Sequence, residues 1–388
     1  MIAATLLALS LAALPQAGLS AGAPQAASGG HLSFAQLSQA ADRAREENRD
    51  DDALRLYKAA LSKQPEWEQG LWYLGTVLYE KNQYPEARDV LRRFMTLRPD
   101  AGPGWALLGL SEFQMREYPR ALDHLQRAMA VGMGDRNDLV QSVFYHGAVL
   151  LTRSELYDDS LDMLLKMLAS DPNQSLLVEP AGLAGLRLPL LPSEIPADRR
   201  ELVHLAGEAV LALQTQHYED AEATFKRMEA AYPNEPGVHF LYGAYLMQLH
   251  PDDGIREMKR ELEISPAHVL ARVRLAEQYL TQQQFDEALS FAREAVKLDP
   301  KRASPHMLVG EGLVAKGDLS GGIKEFEAAR DDDPLNIRIH WDLLRAYTET
   351  GRADDAKREK QEIEKLRGSH PGGNPAQEDK SSEPAASR

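Results

Sequence analysis

Apolar side chains recur along this chain at three- and four-residue steps, in short runs separated alternately by a polar turn and by a proline. That is the period of a helix with one buried face. Leu71, Leu74, Gly75 and Leu78 form one stripe, and Ala87, Leu91 and Phe94 form the next. Tyr84 closes the turn between them. Pro99 ends the second helix, because proline lacks an amide hydrogen and clashes with the preceding turn. Gly75 and Ala87 are small where a neighbouring helix must cross. Two short helices cannot cover their own apolar faces, so such pairs must stack.

The pattern keeps one beat across the chain. Ala53, Ala87 and Ala121 stand 34 apart, as do Ala288, Gly322 and Ala356. Pro65 and Pro99 are 34 apart, Pro233 and Pro266 are 33 apart, and Pro266, Pro300 and Pro334 return to 34. A period in this range marks a repeat architecture, whose core runs continuously from pair to pair. The expected fold is all-α, an α-α superhelical solenoid of about eight to nine helix pairs.

The third pair carries Trp105, Leu108, Gly109, Tyr118, Ala121, Leu125 and Ala128, and the seventh carries Leu275, Ala276, Tyr279, Phe285, Ala288, Ala295 and Pro300. The eighth gives Gly310, Leu313, Gly317, Phe326, Ala329 and Pro334, and the ninth Leu343, Tyr347, Gly351 and Ala356. These residues, from about Phe34 to Arg367, resemble the tetratricopeptide repeat family in its bacterial exported form. The resemblance implies a protein-binding scaffold without catalysis, whose concave groove is lined by the first helix of each pair. Carried over position by position, it places Trp72, Tyr79, Phe113, Phe144, Phe240, Met247, Met307 and Trp341 in that groove. Such a lining suits an apolar or aromatic segment of a partner protein or peptide, although a stripe at this spacing serves equally as interior packing. The Lys and Asn clamp of chaperone-binding relatives is missing, since the equivalent positions hold Thr76, Leu110, Ala148 and Val210.

Two pairs depart from the beat. Gly147 precedes Tyr157 by ten residues instead of nine, which predicts an extra residue in the fourth turn. The sixth pair has Gly254 and Glu261 in its second helix and is one residue short. Between arrays at 34–172 and 199–368, residues 173–198 hold Pro180, Pro189, Pro192 and Pro196 among many leucines. Four prolines exclude one continuous helix, and the leucines exclude a solvated linker. The segment reads either as a connector along the flank of the fourth and fifth pairs or as a lid across the concave face. The charged stretch from Lys357 to Leu366 reads as a capping helix.

The ends differ in character. An apolar run from Ile2 to Leu14 precedes small residues, as in a signal peptide spanning 1–21, and it predicts a periplasmic or secreted location. Residues 22–33 and 369–388 have the Gly, Ser, Pro and Gln bias of a disordered tether and tail.

Charge and composition narrow the function. With 59 acidic against 44 basic residues the net charge is -15, which opposes nucleic acid and predicts none as a partner. No cysteine is present, so disulfides, thiolate metal sites and cysteine nucleophiles are excluded. No phosphate loop, zincin helix or nucleophile elbow occurs, so no enzyme activity, cofactor or metal is expected. His306 and His340, in the large-residue position of their helices, read as packed structural histidines. No later segment is apolar enough to span a membrane. An accessory subunit of an envelope secretion or polysaccharide-export apparatus is the alternative to a peptide-binding scaffold.

Overall fold

Among the described residues, one backbone device makes the turn in eight of nine helical hairpins: a residue with left-handed φ sits between the helices, at Asn48, Asn82, Arg116, Glu155, Gln216, Gln283, Gly317 and Gly351. The next amide then reaches back to a carbonyl five residues earlier, as Gln83 N does to Leu78 O at 2.9 Å. This cap satisfies carbonyls that the helix end leaves open.

The computed structural model describes residues 32–134, 136–170 and 174–369. The expected signal segment, the tether up to residue 31 and the tail beyond residue 369 lie outside the described residues. Within them the secondary structure is helical, without strands. The pairs are α1 (Phe34–Glu46) with α2 (Asp50–Lys63), α3 (Glu68–Glu80) with α4 (Tyr84–Leu97), α5 (Gly102–Gln114) with α6 (Tyr118–Val131), and α7 (Asn137–Arg153) with α8 (Tyr157–Ser170). A short α9 (Val178–Gly185) follows, and then α10 (Arg200–Gln214) and α11 (Tyr218–Ala231). The remaining pairs are α12 (Val238–Leu249) with α13 (Pro251–Ile264), α14 (Val269–Thr281) with α15 (Phe285–Leu298), α16 (Ala303–Ala315) with α17 (Leu319–Asp332), and α18 (Ile337–Glu349) with α19 (Ala353–Ser369).

Contacts divide the chain into two compact units, one ending at Thr224 and the other beginning at Phe225. The division falls inside α11 and not at the proline-rich segment. In the first unit each second helix packs on the next first helix, α2 on α3, α4 on α5 and α6 on α7. One apolar core therefore runs from Ala41 through Leu78, Leu91, Leu108 and Leu125 to Leu150. First helices also touch one another directly, α3 with α5, α5 with α7 and α7 with α9, so they form a continuous row. In the second unit α12, α14 and α16 form a row in the same way.

The proline-rich segment contributes a helix to the stack. Its α9 is buried along nearly its whole length and packs among α7, α8 and α10 as a member of the stack. It ends with the left-handed cap of the other first helices, Arg187 at φ 55° and Leu188 N bonded to Leu183 O at 2.9 Å. The sixth hairpin, one residue short, omits the left-handed residue, and His250 joins α12 directly to α13. Its irregular Glu261 is fully buried and accepts from the amides of Gly237 at 3.0 Å and Phe240 at 3.2 Å. A side chain of α13 thus caps the first turn of α12.

Candidate functional site

The first turns of α3 place Glu68, Gln69 and Trp72 beside the last turn of α4 and the start of α5. Together with Phe94, Arg98, Ala101, Pro103 and Gly104 they line an open pocket of about 300 Å³. Phe94 is aromatic where Ala60, Ala128, Ala295 and Ala329 of other pairs are small. Gly104 makes room for it, since a Cβ there would stand 2.9 Å from the Phe94 ring. The displaced bulk leaves Trp72 half-buried over the opening, with its ring 5.5 Å from that of Phe94. The walls are aromatic and aliphatic, and the rim is charged, Arg98 pairing with Asp100 at 3.0 Å and Glu68 at 3.5 Å. A flat apolar anchor beside ion-paired rim groups is the arrangement that seats one large apolar side chain.

The other predicted residues do not converge on this pocket. Tyr79 lies seven residues along α3 from Trp72, about 10 Å at the helical rise. Its ring packs on Tyr84 at 5.6 Å, and burial beside that phenol pushes its hydroxyl up to about 12. Phe113 occupies the matching end of α5, against Tyr118 at 5.7 Å and edge-on to His146 at 4.5 Å. These side chains form a second aromatic group near the hairpin turns, half-buried and continuous with the core.

Phe144 is displaced by one register. Leu156 N bonds to Leu151 O as Gln83 N does to Leu78 O, which makes Ala148 the equivalent of Gly75. Ala148 is fully buried, and the Ser160 hydroxyl donates to its carbonyl at 2.8 Å. The fourth turn therefore holds no extra residue. Phe144 takes the large-residue position, and Tyr145 is the counterpart of Trp72.

In the second unit Phe240 and Met307 are core residues, contrary to expectation. Phe240 is 5% exposed beneath the stacked ring of His268 at 4.6 Å, and Met307 is 7% exposed in the cluster of Phe326 and Leu343. Met247 is half-buried against Gly254, where α12 and α13 touch. Trp341 is exposed, with the Arg367 guanidinium 5.4 Å over its ring. The first helices of this unit carry charge that the groove assignment missed. Arg338 pairs with Glu311 at 2.7 Å, Arg345 with Asp342 at 3.4 Å and Arg274 with Glu277 at 3.1 Å. Burial holds the carboxyls of Glu311 and Asp342 above their ordinary values, against the pull of neighbouring arginines. Glu277 and Glu311 directly follow the small Ala276 and Gly310, a signal available in the sequence.

The large-residue position has its own chemistry. His239, His306 and His340 each direct Nε2 at the carbonyl of a proline six residues back, Pro233 at 2.9 Å, Pro300 at 3.3 Å and Pro334 at 3.0 Å. A carbonyl only accepts, so Nε2 carries the hydrogen. Nδ1 faces a glutamate on the following helix, Glu257 at 2.6 Å, Glu325 at 2.7 Å and Glu359 at 2.6 Å. Trp105 makes the same bond to Pro99 O at 2.9 Å. Each clasp ties the end of one pair to both helices of the next.

Hairpins stacked through small-residue crossings, with the first helices forming a row in each unit, define an α-helical repeat scaffold. A family profile described as tetratricopeptide repeat matches residues 38–102, 243–303 and 310–360. These three stretches carry tetratricopeptide repeats. Over 84 residues, 22% of the chain, it is 30% identical to anaphase-promoting complex subunit 3 of Dictyostelium discoideum, and the match spans 9% of that protein's length. Among solved structures, a MamA RS-1 double mutant is 21% identical, covering 44% of this chain and 97% of that one at a TM-score of 0.41. A crystal structure of MamA gives 17% identity, 42% and 97% coverage and a TM-score of 0.40. MamA from residue 41 onward, of Desulfovibrio magneticus RS-1, gives 23%, 43%, 93% and 0.38.

Proposed function

We propose that this chain is a non-enzymatic scaffold that holds a partner protein through an apolar segment, anchored in the Trp72 pocket of the first unit. The observation that carries this reading is the half-buried Trp72 over a cavity of about 300 Å³ walled by Phe94 and Pro103. Large flat side chains supply contact area while few unpaired charges need desolvation. The charge on the first helices of the second unit suits a different, more polar contact. Export fits the apolar run at Ile2 to Leu14 and the small residues after it, and no helix among the described residues is long and apolar enough to cross a membrane.

A photo-reactive residue at Gln69, on the pocket rim, is expected to capture the partner in the native host, while the same residue at the exposed Arg293 of α15 captures little. Equal capture from both sites would remove the pocket from the account. One fixed neighbour at constant stoichiometry would favour a subunit of an envelope apparatus over a receptor for changing peptides. Export is tested by the mass of the mature chain, which should lack residues 1–21.

A further inference from the structure

The three histidine–glutamate clasps are the same device with one variable. Ten residues before the histidine, on the preceding second helix, stands Arg330 for His340, Val296 for His306 and Glu229 for His239. At the last pair Arg330 donates to Glu359 at 2.8 Å, so that clasp balances its own charge. In the eighth pair the position is apolar. In the sixth pair it adds a second carboxylate: ligand atoms of Glu229, His239 and Glu257 all lie within 4.8 Å of one another.

We infer that Glu229, His239 and Glu257 form a site for a divalent transition-metal ion of the Zn²⁺ type. Two carboxylates and one imidazole, drawn from α11, α12 and α13, are the N and O donors that such an ion takes, with water free to fill a fourth position. The imidazole argues against Ca²⁺ and Mg²⁺, which prefer oxygen alone. His239 is prepared for the role. Its Nε2–H is fixed on Pro233 O at 2.9 Å, the outer hydrogen bond that aims Nδ1 at a metal, and it is buried while both glutamates are partly exposed to an entering ion. Nδ1 and Glu257 Oε2 now stand 2.6 Å apart on a shared proton. Tetrahedral ligation at zinc distances needs about 3.3 Å between them, a small rotation of the Glu257 side chain. The ion replaces that proton, which leaves to solvent. Bound metal would tie α11 to both helices of the sixth hairpin, the one lacking the left-handed turn.

The full chain, freed of metal by chelation, is titrated with ZnCl₂ by calorimetry, with X-ray absorption on the loaded sample. One tight equivalent is expected, with Kd below about 10 μM, a shell of N and O at about 2.0–2.1 Å and the signature of one imidazole. Glu229→Arg copies the arrangement that Arg330 provides in the last clasp and should therefore fold. It is expected to weaken binding more than about tenfold and to abolish the metal-induced rise in melting temperature. Glu359→Gln, in the sister clasp, should leave that equivalent in place. Absence of uptake in the wild type, or equal uptake by wild type and Glu229→Arg, overturns the assignment.

Discussion

Six of the eight left-handed turn residues are not glycine, among them Arg116, Gln216 and Gln283 at φ 61°, 61° and 59°. A side chain in this region costs about 1–2 kcal/mol, while glycine's extra unfolded freedom costs about 0.5–1 kcal/mol. Gln283 is exposed, so Gln283→Gly should stabilise the chain by roughly 0.5–1 kcal/mol. A chemical-denaturation midpoint that falls would contradict this. His146 carries a pH dependence. Burial holds its imidazole below the ordinary value of 6.5, partly offset by the bond from Nδ1–H to Ser142 O at 2.7 Å. The native state then refuses a proton that the unfolded chain accepts, so this contribution to stability is lost as pH falls below about 6.5, by at most about 1.4 kcal/mol per pH unit. Melting His146→Leu beside the wild type at pH 7.5 and 5.5 should show a shallower pH slope in the variant. Parallel slopes would show that the histidine is protonated in the fold. Such single-residue features are poorly legible in sequence. Glu112 and Glu261 are fully buried where the repeat pattern expects apolar or small residues, and their partners, Arg92 and His124 for one and backbone amides for the other, come from elsewhere in the chain.

At the scale of elements, the hairpins were legible because small and large residues recur at fixed offsets, and each offset is a crossing or a turn. What the period could not reach was α9. The prolines and leucines of residues 173–198 fit no repeat, and the place of α9 depends on Gly182 and Gly207, which are 25 residues apart. A Cβ on Gly182 would stand 1.9 Å from Val203 O, and one on Gly207 would stand 1.9 Å from Val178 O. The two backbones touch. Gly182→Ala should therefore cost about 1–3 kcal/mol, read as a lower thermal midpoint, because a main-chain carbonyl cannot move aside as a side chain can. An unchanged midpoint would mean that α9 is not held in the stack. Register also escaped the sequence in the fourth pair, where Gly147 and Ala148 are adjacent and both small, and only the hydrogen bonds decide between them.

For the whole molecule, period and composition led to stacked helix pairs, and the profile match and the coordinates agree on that architecture. The candidate site was legible in part. Trp72 was reached from its offset alone, whereas Phe240 and Met307 failed because burial depends on what covers a residue, and His268 and Phe326 come from elsewhere in the chain. The two units consequently differ in chemistry, with an aromatic pocket in the first and ion-paired helices in the second. The claim that matters most is that Trp72 anchors a partner. Its direct test is the affinity of the crosslinked partner segment for wild type, for Trp72→Ala and for Ala101→Leu, which fills the pocket while leaving the tryptophan in place, all with folding checked by circular dichroism. Both variants should bind about 30-fold or more weakly, as expected for loss of a buried aromatic anchor worth about 2 kcal/mol, while Trp341→Ala in the second unit binds as wild type. Affinity unchanged by both pocket variants, or lost equally in Trp341→Ala, would contradict the account.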